Sequence, residues 1–168
     1  GTLRFAVAEK GSGSELVFKP YEGPVLLAGS GDRPIAYEVY AYAVDDAGNK
    51  SEIVGPISVR IDRASVYVAA WGSDSARGGP RNPLATLSAG VDAAVRAGKR
   101  FVRVQGDAKL GGPLRPAAPV EILGACDEAW EPVPGAYSSV DVSDQTGPLI
   151  SVNDTELTLR NCSIAAEV

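Results

Sequence analysis

The 168-residue chain contains no histidine and no methionine, and it has only two cysteines, Cys126 and Cys162. Without histidine, a Ser-His-Asp or Cys-His nucleophilic site cannot form within the chain, and a zinc site with a histidine ligand is excluded for the same reason. Two cysteines are too few for a four-cysteine zinc site. They neither require nor exclude an oxidising compartment. We therefore expect no metal ion and no cofactor.

The sequence also lacks an apolar run of 18 residues and a signal-peptide pattern, so no transmembrane segment is predicted in this chain. Because there is no methionine, Gly1 is not a translation start, which favours an interior piece of a processed or longer protein. The net charge of −5 and the pI near 4.8 argue against nucleic acids and anionic membrane surfaces as partners. A content of 19 glycines and 12 prolines suits a β-rich protein with many tight turns.

The first 62 residues are predicted to form short strands separated by Gly, Pro, Ser and Asp. The candidate strands are LRFAVA, ELVFK, PVLLA, IAYEVYAYAV and PISVRI. In the longest of them, Ile35–Val44, both alternating faces are largely apolar. Regular turn signals between short strands predict a small antiparallel β-sandwich.

Three stretches of this region carry a resemblance to a known family: YEGPVLLAG, YEVYAYAVDDAGNKS and VRID. They resemble the small immunoglobulin-like module at the C-terminal end of bacterial chitobiases, and similar modules occur in many bacterial surface proteins. The resemblance covers roughly residues 2–62. In such modules AVDDAGNKS closes a hairpin, so the resemblance implies a spacer or positioning domain.

Residues 61–65 form a very short junction, which predicts two domains held semi-rigidly, over residues 1–62 and 66–168.

From Val66 the order is strand, glycine-rich loop, one amphipathic helix and then short strands. The helix is predicted over Leu87–Ala97, with Thr86 or Ser88 as N-cap and Gly98 as the stop. The later strands are FVRV, VEIL, SVDV, LISV, ELTL and CSIA, with Asn161 at a left-handed bend.

This second half carries the stretches VYVAAWGSDSARGGPRNPLATLSAGVDAA, VRVQGD and VEILGACDEAW. They resemble the N-terminal cap and first coils of bacterial pectin-lyase-like proteins, which are right-handed parallel β-helices. Gly124-Ala125 stands where that family commonly has paired glycines, and Cys126 where an aromatic residue is common. The resemblance covers roughly residues 66–168. It predicts a mainly β chain: an immunoglobulin-like β-sandwich followed by a short, helix-capped, right-handed parallel β-helix.

Two groups of charged or polar residues are candidates for a chemical role. Related β-helix lyases use calcium held by carboxylates beside a basic proton acceptor, and the side chains that could be imagined together here are Arg103, Lys109, Arg115, Asp141 and Asp144. A solvated charged face is the favoured interpretation, and no catalytic residue is predicted. Asp45, Asp46 and Asn49 could offer oxygen ligands to calcium, but a simple turn is favoured because their spacing matches no EF-hand loop.

Trp71 and Trp130 are the candidate ligand-binding residues, because a sugar face packs well on an indole ring. Trp71 directly follows a strand and Trp130 lies in the loop DEAWEP; packing against the first coil is the alternative role for each. Cys126 and Cys162 are expected to be separate thiols, with a disulfide as the alternative.

The favoured function is a non-enzymatic structural scaffold or spacer in an exported bacterial cell-envelope protein, periplasmic or at the cell surface. Its partners would be further domains of the same protein. The alternatives are a module that binds carbohydrate, peptidoglycan or a host surface, and a fragment of a polysaccharide lyase or hydrolase.

Overall fold

A computed structural model describes residues 1–143 and 145–165 of the chain. The protein is mainly β, with a single α-helix among the described residues. It divides into two compact units, Gly1–Arg63 and Ala64–Val168, which are called here the N-terminal and the C-terminal unit. No helix in the described part combines the length and the apolarity that crossing a bilayer requires.

The N-terminal unit contains one four-stranded antiparallel sheet in the order β2-β1-β3-β4. Its strands are β1 Thr2–Glu9, β2 Lys19–Pro20, β3 Ile35–Val44 and β4 Val54–Ile61. β1 and β3 pair over their whole common length, from Thr2 opposite Val44 to Glu9 opposite Tyr37. The buried apolar side chains of this unit are Phe5, Ala6 and Ile35.

Two predicted strands of the N-terminal unit are absent, and no second sheet faces the first within residues 1–63. ELVFK contributes only Lys19 to β2, and PVLLA is irregular, with Leu26 98% exposed. Pro24 has no N–H to donate to a ladder, which disfavours a paired strand at this point. The irregular segment instead contacts the sheet: the Tyr21 ring packs edge-on against Phe5, with the ring centroids 5.8 Å apart.

The C-terminal unit contains two sheets whose neighbouring strands are all parallel, in the orders β10-β8-β6-β5 and β11-β9-β7. Its elements are β5 Ser65–Ala69, α1 Leu87–Arg96, β6 Phe101–Gln105, β7 Ala108–Lys109, β8 Val120–Cys126, β9 Ser138–Asp141, β10 Leu157–Arg160 and β11 Cys162–Ala165. From β6 onward the chain alternates between the sheets, so each pair of consecutive strands adds one strand to each sheet. The pairs β6/β7, β8/β9 and β10/β11 are called layers here.

Apolar side chains at matching positions of successive layers stack into columns that form the core. Val66, Val102, Ile122 and Leu159 are in register across the first sheet. Val102 and Ile122 are fully buried, as is Val140 of the second sheet. Because both faces of a parallel sheet tend to be covered, these short strands are rich in Val, Ile and Leu.

The predicted helix is present as α1, and its start is determined by a local hydrogen bond. Thr86 is the N-cap, and its hydroxyl accepts from the Ala89 N–H at 3.3 Å. The helix buries Leu87, Val91 and Ala94 on one stripe, as the apolar spacing predicts. Gly90 lies on the same stripe, where an added Cβ would be 2.5 Å from Cγ2 of Val68. Glycine at this position therefore lets the helix lie close against β5.

The remaining predicted strands of the second half are present, except for LISV. In that segment only Ile150 forms a bridge, with Leu114. The bend at Asn161 is confirmed, with φ of +54° between β10 and β11. Asparagine is among the few residues that tolerate this left-handed conformation, which explains why a local signal could identify it.

Candidate functional site

Trp71 lies in the turn that follows β5, and 60% of its surface is exposed. The turn closes with a hydrogen bond from the Gly72 N–H to the Ala69 carbonyl oxygen at 2.8 Å. Gly72 passes so close to the backbone of Leu84 that an added Cβ would be 2.3 Å from its carbonyl oxygen. The path of the backbone after Trp71 therefore requires glycine at position 72.

Hydrogen bonds join Trp71 to the ends of two neighbouring strands. Its Nε1–H donates to Oε1 of Gln105 at 3.0 Å, and Nε2 of Gln105 donates to the Asp127 carbonyl oxygen at 2.9 Å. Ala69, Gln105 and Cys126 are in register at the carboxyl ends of β5, β6 and β8. The group formed by Trp71, Gln105 and Asp127 is called here the Trp71 shelf.

The Asp127 side chain fixes the loop at the far end of this shelf. Its Oδ1 accepts from the N–H groups of Ala129 and Glu131, both at 2.9 Å. These hydrogen bonds hold the backbone of the Asp127 loop in one conformation. The Asp127 carbonyl oxygen, which accepts from Gln105, is therefore held in position. The shelf therefore presents an indole that is exposed to solvent while its polar N–H is already satisfied within the protein.

Trp130, the other candidate, lies inside the C-terminal unit and is only 6% exposed. Its ring packs edge-on against Tyr67, with the centroids 4.8 Å apart, and its Nε1–H donates to the Pro80 carbonyl oxygen at 3.2 Å. An indole in this position has no free face on which a sugar could stack. Of the two tryptophans, only Trp71 offers indole surface to a ligand.

Arg103 of β6 is also buried, and it links the Trp130 loop to the start of β5. Its Nη1 donates to the Trp130 carbonyl oxygen at 2.6 Å, and its Nε donates to the Ser65 hydroxyl at 3.2 Å. Buried charged side chains are rare and need several hydrogen bonds. The sequence suggested Arg103 as a possible member of a lyase-like cluster, with a solvated charged face favoured, and it did not identify Gln105. Neither the burial of Arg103 nor the reach of Gln105 across strands is visible in a one-dimensional pattern.

Of the other charged residues considered from the sequence, the described structure brings together only Lys109 and Asp141. Lys109 and Asp141 are in register on β7 and β9, and hydrogen bonds from Ser143 and the Lys109 charge lower the pKa of the Asp141 carboxyl. Arg103 belongs to the other sheet, and Arg115 lies in the stretch between β7 and β8. Asp144 lies outside the described residues. In the described part of the chain, no three acidic or cysteine side chains converge as a metal site would require.

The calcium candidates in the N-terminal unit form a turn around Asp45. The Asp45 carboxylate accepts from the N–H of Ala47 at 3.0 Å, from the N–H of Asn49 at 2.8 Å and from Nδ2 of Asn49 at 2.8 Å. The side-chain and backbone bonds from Asn49 lower the pKa of the Asp45 carboxyl. Three donors already occupy this carboxylate, as expected for a hairpin turn of this kind.

Both cysteines are free thiols. Cys126 is buried and its thiol donates to the Leu123 carbonyl oxygen at 3.3 Å. Burial raises the pKa of the Cys162 thiol to about 11. A thiol with such a pKa carries little thiolate near neutral pH, so it is a poor nucleophile.

No protein-family model, curated protein or solved structure matches the chain.

Proposed function

We propose that the chain is a non-enzymatic scaffold segment of an exported bacterial cell-envelope protein, located in the periplasm or at the cell surface. The fold proposed for this role is an immunoglobulin-like unit followed by a short, helix-capped, right-handed parallel β-helix. The location rests on the resemblance of residues 2–62 to modules of bacterial surface proteins.

The stacking of layers in the C-terminal unit is the observation that carries the proposal. Each layer adds one parallel strand to both sheets, and the apolar columns continue from one layer to the next. Solenoids grow by such nearest-neighbour stacking, which produces length at a nearly constant cross-section. A right-handed coil is the expected hand for parallel strands joined by crossovers.

The two ends of the stack differ in the way a capped coil requires. At the first end, α1 packs against β5 and buries Leu87, Val91 and Ala94. At the other end, among the described residues, β10 pairs only with β8, and β11 pairs only with β9. Ile164, which continues the column of the fully buried Val140, is 40% exposed there. A helix-covered first layer and an apolar column that runs through the later layers support a scaffold built by stacking.

The N-terminal unit supports the proposal less directly. Its antiparallel strand order and the Asp45–Asn49 turn agree with an immunoglobulin-like module, while its single sheet lacks the facing sheet of a complete sandwich. The role proposed for it is a spacer.

A carbohydrate-binding module is the second candidate, and the Trp71 shelf is the observation that favours it. An exposed indole held by Gln105 loses little side-chain entropy when a flat ligand stacks on it, so binding would be pre-organised. Gln105 and the Asp127 loop would provide polar groups next to the ring. This arrangement suits the apolar face of a sugar ring together with its hydroxyl groups.

A binding and turnover panel tests both candidates. The whole purified chain is incubated with insoluble polysaccharides and peptidoglycan sacculi, and separately with soluble acidic polysaccharides while new reducing ends are measured. If the chain is a scaffold, we expect no saturable binding and no new reducing ends. The thermal unfolding temperature should also stay unchanged in the presence of every polysaccharide.

Saturable binding that weakens about tenfold or more in Trp71→Ala would replace the scaffold with the carbohydrate-binding module. Trp71→Phe, which keeps a ring but loses the bond to Gln105, should then bind with intermediate strength. Formation of reducing ends would overturn the non-enzymatic proposal outright. Gln105→Ala, which frees the indole without removing it, is the matched control for pre-organisation.

A further inference from the structure

A concave surface lies in the C-terminal unit, between α1 and the loop that precedes it. It has a volume of about 310 Å³, and the lining side chains used below are Ala76, Arg77, Leu84, Ala89, Ala93 and Arg96. None of these residues belongs to the Trp71 shelf. This surface is called here the helix groove.

The loop wall of the helix groove is fixed by hydrogen bonds. The Asp74 carboxylate, which also borders the groove, accepts from the N–H groups of Ala85 and Thr86 and from the Thr86 hydroxyl, all at 2.9 Å. The Asp74 charge is therefore engaged at the start of α1, where the helix dipole favours an anion. A wall held in this way can keep its shape without a ligand, which lowers the entropic cost of binding.

The floor of the helix groove is aliphatic and owes its depth to small side chains. Ala89 and Ala93 are four residues apart and therefore lie on one side of α1, next to the buried stripe. Leu84 closes the bottom and is 3% exposed. Among the described residues, no aromatic ring lines the groove, so it lacks the flat stacking surface that the Trp71 shelf offers to a sugar.

Two arginines flank this aliphatic floor, Arg77 on the loop and Arg96 on the last turn of α1. Both are accessible to solvent, and within residues 1–143 and 145–165 neither guanidinium takes part in an ion pair. By contrast, Arg33 pairs with Glu9 at 2.9 Å and Arg160 with Glu121 at 2.7 Å. Arginine side chains bind carboxylates through two parallel N–H donors, which makes them selective for such groups.

The local charge agrees with an anionic ligand although the whole chain has a net charge of −5. Residues 64–100 contain five basic side chains, Arg77, Arg81, Arg96, Lys99 and Arg100, against two acidic ones, Asp74 and Asp92. Of these residues, Arg77 and Arg96 line the groove together with Asp74, whose carboxylate already accepts three hydrogen bonds. The two arginine charges there attract an acidic partner.

We propose that the helix groove binds a short acidic peptide segment of another protein. An aliphatic side chain of that segment lies on Leu84, Ala89 and Ala93, while two of its carboxylates bind Arg77 and Arg96. The aliphatic floor favours a peptide over an acidic polysaccharide, because a peptide can place an apolar side chain between two carboxylates. This interaction is separate from the proposed scaffold role and from the Trp71 shelf, and it would let a scaffold recruit a partner.

Fluorescence anisotropy with a labelled peptide of alternating Glu and Leu tests the proposal on the whole chain. We expect saturable binding that weakens as the salt concentration rises from about 0.05 M to about 0.5 M, because exposed charge pairs are screened. The same peptide with Gln in place of Glu should not bind. Arg77→Gln and Arg96→Gln should each weaken binding about tenfold.

Three further variants distinguish binding in the helix groove from general charge attraction and from binding at the Trp71 shelf. Ala93→Leu fills the floor while keeping a good helix former, and it should abolish binding. Arg81→Gln removes an exposed arginine that does not line the groove. Trp71→Ala removes the exposed indole of the Trp71 shelf. Both variants should bind the peptide as the unmodified chain does. Far-UV circular dichroism and thermal unfolding establish that each variant is folded.

Three results would overturn the proposal. One is the absence of saturable peptide binding at low salt. Another is an equal loss of affinity in Arg81→Gln and Arg77→Gln, which would make the interaction non-specific charge attraction. The third is tighter binding of polygalacturonate than of the peptide with the same loss in Arg77→Gln, which would assign the groove to an acidic polysaccharide.

Discussion

The N-terminal and C-terminal units use their apolar side chains in different ways. In the N-terminal sheet only Phe5, Ala6 and Ile35 are buried apolar side chains, and Ile57 of the edge strand is 58% exposed. In the C-terminal unit, Val102, Ile122 and Val140 are completely buried between two parallel sheets. One antiparallel sheet leaves a face open to solvent, whereas two parallel sheets joined by repeated crossings enclose a core. We infer that the stability of the chain is concentrated in the C-terminal unit.

Truncating one isoleucine in each unit is the strongest test of this comparison. Ile122→Ala should lower the free energy of unfolding of the C-terminal unit by about 2–5 kcal/mol, since it leaves a cavity in a closed core. Ile57→Ala should cost about 0.5 kcal/mol or less, because the side chain is mostly in water already. Urea titrations followed by circular dichroism measure both. Equal losses would contradict the proposed difference between the units.

Gly90→Ala should reduce stability although alanine is the better helix former by about 1 kcal/mol. The new methyl group would meet Cγ2 of Val68 at 2.5 Å, so we expect a net loss of about 1–3 kcal/mol from overpacking. The double variant Gly90→Ala/Val68→Ala removes the clash between the two side chains. It should therefore lose less stability than the sum of the losses in the two single variants. A stabilised Gly90→Ala would show that α1 can move away from β5 without cost.

Thr86→Ala should cost about 1 kcal/mol through loss of the N-cap of α1. Thr86→Ser keeps the hydroxyl, which also donates to Asp74 at 2.9 Å, so it should retain most of the stability. Thermal unfolding of both variants provides the measurement. If Ser and Ala variants unfold at the same temperature, the cap and the bond to Asp74 contribute nothing.

Alkaline titration of Cys162 provides a further test of the C-terminal unit. Its pKa is raised by burial from 9.0 to about 11, so the folded unit holds the proton more tightly than the unfolded chain. The associated stability is complete below pH 9 and is lost as the pH rises through 11. Denaturation at a series of alkaline pH values should show this slope, and Cys162→Ala should remove it. Iodoacetamide should also react slowly with Cys162 at about pH 8, and fast modification in the folded chain would contradict the raised pKa.

Local signals predicted the elements that depend on local physics. Thr86 was one of two N-cap candidates, and the structure has it as the cap. The apolar stripe of α1 and the left-handed bend at Asn161 are also present, and each of these features depends on only a few neighbouring residues. The strand predicted at PVLLA is absent because an apolar run forms a strand only where a partner strand is available. Residues 24–28 have no partner strand in the described part of the chain.

The candidate site also shows how little of a site local sequence signals can predict. Trp71 and Trp130 could not be ranked from the sequence, since each lies in a loop after a strand. The structure buries Trp130 against Tyr67 and leaves Trp71 exposed on Gln105, a residue 34 positions away. Gln105 has no local pattern that would have identified it, because its role depends on the register of three parallel strands.

The sequence by itself determined a mainly β chain, one capped helix and the absence of any histidine chemistry. These features follow from composition and from the periodicity of neighbouring residues, which act over a few positions. The tertiary structure alone decided which indole faces solvent, where Arg103 is buried and how Arg77 and Arg96 come to flank one groove. The physical reason is that burial and side-chain pairing depend on residues that are distant in sequence and meet only when the strands stack.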